Sequence, residues 1–139
     1  MEEKDLRQAM LVLESYKNQL DALGRQINLL QTSLEESVRA METLKSFKEA
    51  KEGDEILVPI GASIFVTAKV TDCKNAVVGI GSKVSVDKEL GEAENFIGSV
   101  VVELRESLKK VNGSYAEVNT AATNLAAAIN AEYESRQKA

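Results

Sequence analysis

Apolar residues recur at both ends of the chain with the seven-residue period of a coiled coil. In the first third, one heptad position is apolar throughout, and a second position, three residues later, is apolar except for one serine. These positions hold Leu6, Leu13, Leu20, Ile27, Leu34 and Met41, and Ala9, Tyr16, Leu23, Leu30, Ser37 and Leu44. The last third repeats the pattern with Ile97, Leu104, Val111, Val118 and Leu125, and with Val101, Leu108, Tyr115, Ala122 and Ile129. The pattern predicts two long helices of similar length.

The hydrophobic period falls to two in the middle of the chain, as in short β-strands. We expect one hairpin over residues 56–70 that turns at Gly61-Ala62-Ser63, and another over residues 76–88 that turns at Gly81-Ser82. In the last strand, Val84 and Val86 are expected to face inward, while Lys83, Ser85 and Asp87 face outward. The first helix is expected to end near Glu52-Gly53-Asp54, because glycine suits the position just past a helix end. The predicted segments are residues 1–53 (helix), 54–89 (hairpins) and 90–139 (helix).

The stranded segment is too small to stand alone, because isolated hairpins are marginal in water and open strand edges invite partners. We therefore expect the strands to join those of other subunits. The alternative is that they fold back only onto their own helices. Two equal helices joined by a short segment can return alongside each other, which favours an antiparallel pair. A register that places Leu13 beside Leu125 and Tyr16 beside Ala122 fits, and so does one shifted by a heptad.

The second helix contains one turn signal, Asn112-Gly113. The apolar heptad positions keep their spacing across it, which a turn would destroy, so we expect the helix to continue. Each interior glycine costs about 1 kcal/mol relative to alanine. In the favoured register Gly113 lies near Gly24, and the pair predicts a locally soft point.

Charge and composition exclude several classes of function. The chain has 17 basic and 22 acidic residues, a net charge of −5 and no histidine, so it offers no basic stripe for nucleic acid. With a single cysteine, Cys73, the usual zinc sets and nucleophilic triads cannot be built, and we expect neither an enzyme nor a bound cofactor. The charged start and the lack of a long apolar run predict a soluble intracellular protein that does not enter a membrane.

The outward positions of the first helix are polar through its middle but not near its start. Met10, Leu11 and Val12 lie off the seam next to Leu13, so one turn is apolar around most of its circumference. Near the other chain end, Tyr133 adds a mildly apolar surface. An apolar surface at the end of an arm suits adaptable capture of exposed apolar segments of other proteins. Packing against another helix explains it equally well.

One stretch resembles a known family: Leu57-Val58-Pro59-Ile60-Gly61 between long helices, followed by a second hairpin with Val77-Val78-Gly79-Ile80-Gly81. This order is similar to that of prefoldin alpha subunits, and the resemblance covers essentially the whole chain. The chain departs from the family pattern at Ser82-Lys83 and at Ser85. The implied fold is α+β, a long antiparallel two-helix coiled coil joined by two β-hairpins that assemble into an intersubunit β-barrel body.

The resemblance implies a cytosolic hexamer of two alpha and four beta subunits that works without ATP. It would hold unfolded polypeptides at the coiled-coil tips and pass them to a group II chaperonin. The residues expected at the client surface are Leu6, Met10, Leu11, Val12, Leu13, Ile129 and Tyr133. Those expected in assembly are Ile56, Val58, Ile60, Ile64, Phe65, Val66, Val77, Val78, Ile80, Val84 and Val86. Two other hypotheses remain, a passive coiled-coil scaffold and a helical hairpin that grips nucleic acid, although the acidic charge argues against the second.

Overall fold

Two long helices flank two antiparallel hairpins, as the change in hydrophobic period predicts. The computed structural model describes residues 2–138. Its elements, in chain order, are α1 (Glu3–Phe47), β1 (Glu55–Gly61), β2 (Ile64–Lys69), β3 (Asn75–Gly81), β4 (Val84–Glu89) and α2 (Leu90–Lys138). The strands form two separate two-stranded sheets, β1 with β2 and β3 with β4. The predicted α+β class, with two antiparallel hairpins between two long helices, is confirmed.

The first helix ends earlier than the sequence predicts, at Phe47 rather than near Gly53. The backbone tightens there, because the N–H groups of Lys48, Glu49 and Ala50 each donate to the carbonyl three residues earlier, at 3.1–3.3 Å. Lys45 lies in the last turn, where a positive charge complements the helix dipole. The expectation was wrong because it assigned Gly53 to the helix end.

Gly53 instead opens the first hairpin. Its φ of 90° is in the left-handed region that glycine adopts without steric cost. Its N–H donates to the carbonyl of Val70 at 2.8 Å, and the N–H of Val70 donates to the carbonyl of Asp54 at 2.9 Å. The Asp54 carboxylate accepts the N–H of Lys51 at 2.8 Å. The two backbone hydrogen bonds of Val70, with Gly53 and with Asp54, extend the β1–β2 ladder by one rung beyond the ends of the strands.

The two hairpins share one construction. In each, the strand register shifts by one residue just before a glycine, between Pro59 and Gly61 and between Gly79 and Gly81. The two following residues both have positive φ, 50° and 60° at Ala62 and Ser63 and 51° and 63° at Ser82 and Lys83. Two successive positive φ values define a type I′ turn, whose twist matches that of the flanking strands.

The second turn therefore lies one residue later than predicted. Lys83 belongs to the turn and not to β4, which begins at Val84. Val86 is half-buried as expected, and Val84, two residues earlier on the same face of β4 and next to the turn, is 49% exposed. The pattern misplaced the turn because Lys83 at φ 63° is a poor type I′ residue, whereas Gly81, with φ 108°, occupies the bulge before the turn.

The predicted seam positions form the buried stripe of both helices. In α1 all twelve are buried or half-buried, including Ser37. In α2 all are as well, except Tyr115, which is 36% exposed. The helix α2 continues through Asn112-Gly113, as the unbroken heptad phase predicts. The apolar seam on both sides of Asn112-Gly113 therefore outweighs the local turn signal, and the helix is continuous.

The chain divides into two compact units, each containing part of both helices. One comprises residues 1–33 and 104–139, and the other Leu34–Glu103 with both hairpins. In the first, Tyr133 near the end of α2 contacts Met10 near the start of α1. In the second, Lys48 follows the end of α1 and pairs with Glu94 near the start of α2. Both contacts are those of an antiparallel helix pair.

Candidate interaction surfaces

The unit that holds both chain ends has an exposed apolar patch. Met10 is 46% exposed, Leu11 67% and Tyr133 42%, and we call these three residues the terminal patch. The hydroxyl of Tyr133 lies 3.5 Å from Sδ of Met10, so the patch joins α1 and α2. A thioether is a weak hydrogen-bond acceptor, and the methionine side chain is flexible and polarisable. The patch is therefore apolar, adaptable and open to water.

The other residues expected at this surface lie beneath it or beside it. Leu6 and Ile129 are only 5% and 6% exposed and belong to the seam. Val12 and Leu13 are half-buried. A ligand that docks on the folded helix pair therefore meets the three residues of the terminal patch first. The heptad pattern separates most of the two groups, since Leu6, Leu13 and Ile129 are seam positions, but it does not show that the off-seam Val12 is half-buried.

Charged pairs flank the terminal patch. The Arg136 Nε donates to Oε1 of Glu132 at 3.2 Å, and this hydrogen bond lowers the pKa of the Glu132 carboxyl. On α1, Arg7 and Glu3 approach to 3.9 Å with both side chains largely exposed. Ion pairs one helical turn apart on a solvated surface are screened by water and contribute little to stability. They keep the rim of the patch polar and stabilise it little.

The first hairpin is apolar on both faces. The cross-strand pairs Ile56–Ala68 and Val58–Val66 share one face, while Pro59–Phe65 and Leu57–Thr67 share the other. Phe65 is 56% exposed and Leu57 67%. A solvated strand would normally place polar residues on its outer face. Residues that are apolar on both faces and exposed indicate a hairpin that other chains cover.

The second hairpin turns one face towards its own helices. Val78 and Val86 form a half-buried pair, and the neighbouring Lys88 is also half-buried. The Lys88 ammonium lies 6.0 Å from the centroid of the Phe96 ring, at the limit of a cation–π contact. Val77, on the opposite face, is 72% exposed.

An open groove of about 620 Å³ lies between this hairpin and the helices. Its walls are mostly apolar and come from α1, β3 and α2, with Leu44, Phe47, Val78 and Ile97 among them. The hairpin thus rests on its helices along one side without closing over them. Its contacts with the helices leave apolar surface for a neighbouring chain to fill.

A local turn before β3 fixes where this hairpin begins. Oδ1 of Asp72 accepts the N–H groups of Lys74 at 2.8 Å and Asn75 at 3.1 Å, and Oδ2 accepts Asn75 Nδ2 at 3.3 Å. These hydrogen bonds, the Lys74 N–H first, lower the pKa of the Asp72 carboxyl. The same turn brings the N–H of Leu90 within 2.9 Å of the Lys74 carbonyl, which connects it to the start of α2.

Comparison with known proteins identifies this arrangement. A family model described as "Prefoldin subunit" matches residues 16–135. The chain belongs to the prefoldin family. It is 33% identical to the prefoldin subunit alpha of Pyrococcus horikoshii over 83% of this chain and 78% of the relative. It is 27% identical to that of Methanoculleus marisnigri over 98% of this chain and 91% of the relative.

A solved prefoldin structure has the same fold. The chain from filamentous PFD of Methanocaldococcus jannaschii superposes with a TM-score of 0.69 at 27% identity, over 87% of this chain and 98% of the other. The resemblance to prefoldin alpha subunits, drawn from Leu57-Val58-Pro59-Ile60-Gly61 and the second hairpin, is confirmed. Prefoldin membership makes the protein a chaperone subunit that assembles into prefoldin complexes. Over residues 2–138, no helix is long and apolar enough to cross a membrane.

The prefoldin hairpins expose most of the residues that were expected to drive assembly. Val58, Ile60, Ile64, Phe65, Val66, Val77, Ile80 and Val84 are all at least 36% exposed, and Ile56, Val78 and Val86 are half-buried. Sequence reasoning missed Leu57, because strict alternation assigned it to a solvent-facing position. The signal was the unbroken apolar run from Ile56 to Ile60, which is typical of a strand buried on both faces.

Proposed function

We propose that this chain is the alpha subunit of a cytoplasmic hexamer of two alpha and four beta subunits. The hexamer holds unfolded polypeptides without ATP and delivers them to a group II chaperonin. One observation carries the proposal: the terminal patch exposes Met10, Leu11 and Tyr133 where a coiled coil that only paired with itself would place polar residues. The subunit performs no catalytic step.

The terminal patch suits clients with no fixed structure. Its exposed side chains supply a small apolar area around a flexible methionine, and such surfaces repack against many sequences. Fully burying one large apolar side chain contributes about 1.5–3 kcal/mol, so a single patch holds a client weakly. Several arms in one complex raise the overall affinity, because later contacts are intramolecular. Weak contacts at each arm also allow release to a chaperonin.

The hairpins supply the assembly surface in this proposal. Each sheet has two strands, so each strand has an edge with unpaired backbone groups. Hairpin 1, residues Glu55–Lys69, is apolar on both faces and needs cover on both. Pairing with strands of beta subunits and of a second alpha subunit into a barrel satisfies the edges and the faces together.

The experiment combines the chain with its beta-type partner and measures suppression of aggregation of a chemically unfolded substrate without ATP. Sedimentation of the mixture reports the complex formed. We expect a hexamer and a clear loss of light scattering. A monomer in the presence of the partner contradicts the assembly proposal, and a hexamer that leaves aggregation unchanged contradicts the chaperone proposal. A second arm adds a group II chaperonin and follows transfer of a labelled client.

A matched pair of variants tests the terminal patch. Leu11→Asp places a charge in it, whereas Leu29→Asp places the same charge at a leucine that is 71% exposed on the same helix, away from the patch. We expect Leu11→Asp to weaken suppression several-fold and Leu29→Asp to leave it unchanged. Removing residues 1–12 together with the last dozen should abolish it while the hexamer survives. Equal activity of the two leucine variants supports the alternative, a passive coiled-coil scaffold.

A further inference from the structure

The terminal patch contains the most exposed of the described methionines. Met10 is 46% exposed, whereas Met41 is half-buried in the seam of α1. Oxidants in water reach a thioether in proportion to its exposure, and the product, methionine sulfoxide, is polar and chiral. Exposure alone makes Met10 the faster of the two to react.

The environment of the sulfur adds a second observation. The hydroxyl of Tyr133, on the other helix, lies 3.5 Å from Met10 Sδ. A thioether sulfur accepts only a weak hydrogen bond from this hydroxyl, whereas the oxygen of a sulfoxide is a strong acceptor. The hydroxyl is therefore already placed to donate to the oxidised side chain. Oxidation would replace a weak contact between the helices with a good hydrogen bond.

We propose that Met10 is a reversible oxidation site whose sulfoxide is held by Tyr133 and weakens client capture. The oxidant is hydrogen peroxide. The sulfur lone pair attacks one peroxide oxygen, and the S–O bond forms as the O–O bond breaks. The departing hydroxide then takes the proton from the transferred oxygen and leaves as water. The sulfur loses two electrons and the peroxide gains them. Methionine sulfoxide reductase restores the thioether.

The consequence for client binding rests on the proposed function. Oxidation changes the flexible apolar member of the patch into a polar group and turns Tyr133 towards it. Two of the three exposed side chains are then engaged in a hydrogen bond, and Leu11 alone remains apolar and free of it. Client affinity falls while the buried seam beneath, with Leu6 and Ile129, is untouched. The helix pair stays folded but binds clients less tightly.

The first test maps the modification. The full chain is assembled with its beta-type partner, treated with hydrogen peroxide and digested with trypsin, and the tryptic peptides separate Met10 from Met41. We expect Met10 to be oxidised several-fold faster than Met41, and reductase to reverse it. An equal or slower rate at Met10 overturns the proposal. The hydrogen bond is tested with Tyr133→Phe, which should lower the melting temperature more in the oxidised protein than in the untreated protein. An equal effect in both overturns the role of Tyr133.

The second test measures aggregation suppression before and after peroxide, each variant being compared with its own untreated sample. We expect suppression to fall several-fold in the wild type and in Met41→Leu, and the treated-to-untreated ratio to stay near one in Met10→Leu. Full oxidation of Met10 without any fall in the wild type overturns the proposed control of capture and leaves the chaperone function standing. Failure of the untreated complex to suppress aggregation contradicts the chaperone function itself, while the peptide map still decides the oxidation site.

Discussion

Lys48 Nζ lies 2.9 Å from Oε1 of Glu94, joining the residue just past the end of α1 to the first turns of α2. The Glu94 side chain is only 14% exposed, whereas that of Lys48 is 53% exposed. The lysine thus covers a carboxylate that water barely reaches. The pair connects the two helices where the hairpins depart from them.

We expect this pair to show measurable coupling. Lys48→Met should destabilise the chain by about 1 kcal/mol, because a carboxylate left without its partner in a shielded position loses its compensation. Glu94→Gln should cost less, and the double variant should recover part of the loss. Urea unfolding of the four proteins forms a double-mutant cycle that isolates the interaction. Strictly additive effects would show that the pair contributes nothing beyond each residue alone.

The hairpin turns carry strain that substitution can remove. Ser82 and Lys83 occupy the left-handed region at φ 51° and 63°, where a residue with a Cβ pays roughly 1–2 kcal/mol. Asparagine tolerates this region and glycine enters it freely, which is why Asn-Gly is the preferred type I′ pair. We expect Ser82→Asn with Lys83→Gly to raise the free energy of unfolding by about 1 kcal/mol. Chemical denaturation measures the change.

The control for this prediction lies in the adjoining strand. Ser85 lies in β4 and pairs with Gly79 of β3. Ser85→Gly adds the same backbone flexibility at a strand position, where no positive φ is required. It should lower stability by roughly 0.5–1 kcal/mol. A gain from both variants would indicate a general effect of polar or flexible residues in the hairpin and not relief at the turn.

The first hairpin predicts a specific effect on assembly. Leu57→Asp removes an apolar side chain that becomes buried when another chain covers that face, at a cost of about 2 kcal/mol or more. Assembly with the beta-type partner should weaken roughly 30-fold, measured by sedimentation over a range of concentrations. Leu29→Asp, at a similarly exposed leucine outside the hairpins, serves as the control. Unchanged assembly of Leu57→Asp would place the interface on the other face of the hairpin.

Asp72 predicts a dependence of stability on pH. Hydrogen bonds from the N–H groups of Lys74 and Asn75 and from the Asn75 amide hold the pKa of Asp72 below its usual 3.8. Since the folded-state pKa is depressed, the carboxylate stabilises the turn above about pH 4, and this contribution is lost as the pH falls through the folded value. Asp72→Ala should therefore destabilise the chain at pH 7, and this effect should shrink progressively as the pH falls below about 4. A difference that stays constant on acidification would assign the effect to side-chain size.

The sequence predicted periodic features well and single-residue features poorly. The seam and the strands follow from many residues that agree, so Asn112-Gly113 could not interrupt α2 against the apolar positions on both sides. The end of α1 and the second turn depend on one or two residues each. Gly53 could serve a helix end or a hairpin start, and only its bond to Val70 decides between them. The partial burial of Val12, which lies off the seam, depends on packing that no local pattern records.

The glycines within the helices give the last prediction. Gly24 and Gly113 lie inside α1 and α2, and a Cβ added at either would meet no atom within 4 Å. Alanine at each position should therefore stabilise the chain by about 1 kcal/mol through helix propensity alone. Hydrogen exchange near Gly113 should be faster than elsewhere in α2 in the wild type and should slow in Gly113→Ala. Gly53→Ala is the control, because φ 90° at that position makes any Cβ costly and the variant should be destabilised. Exchange near Gly113 that already equals that of the neighbouring turns would mean that packing along the seam offsets the low propensity of glycine, and that the helix is uniformly stiff there.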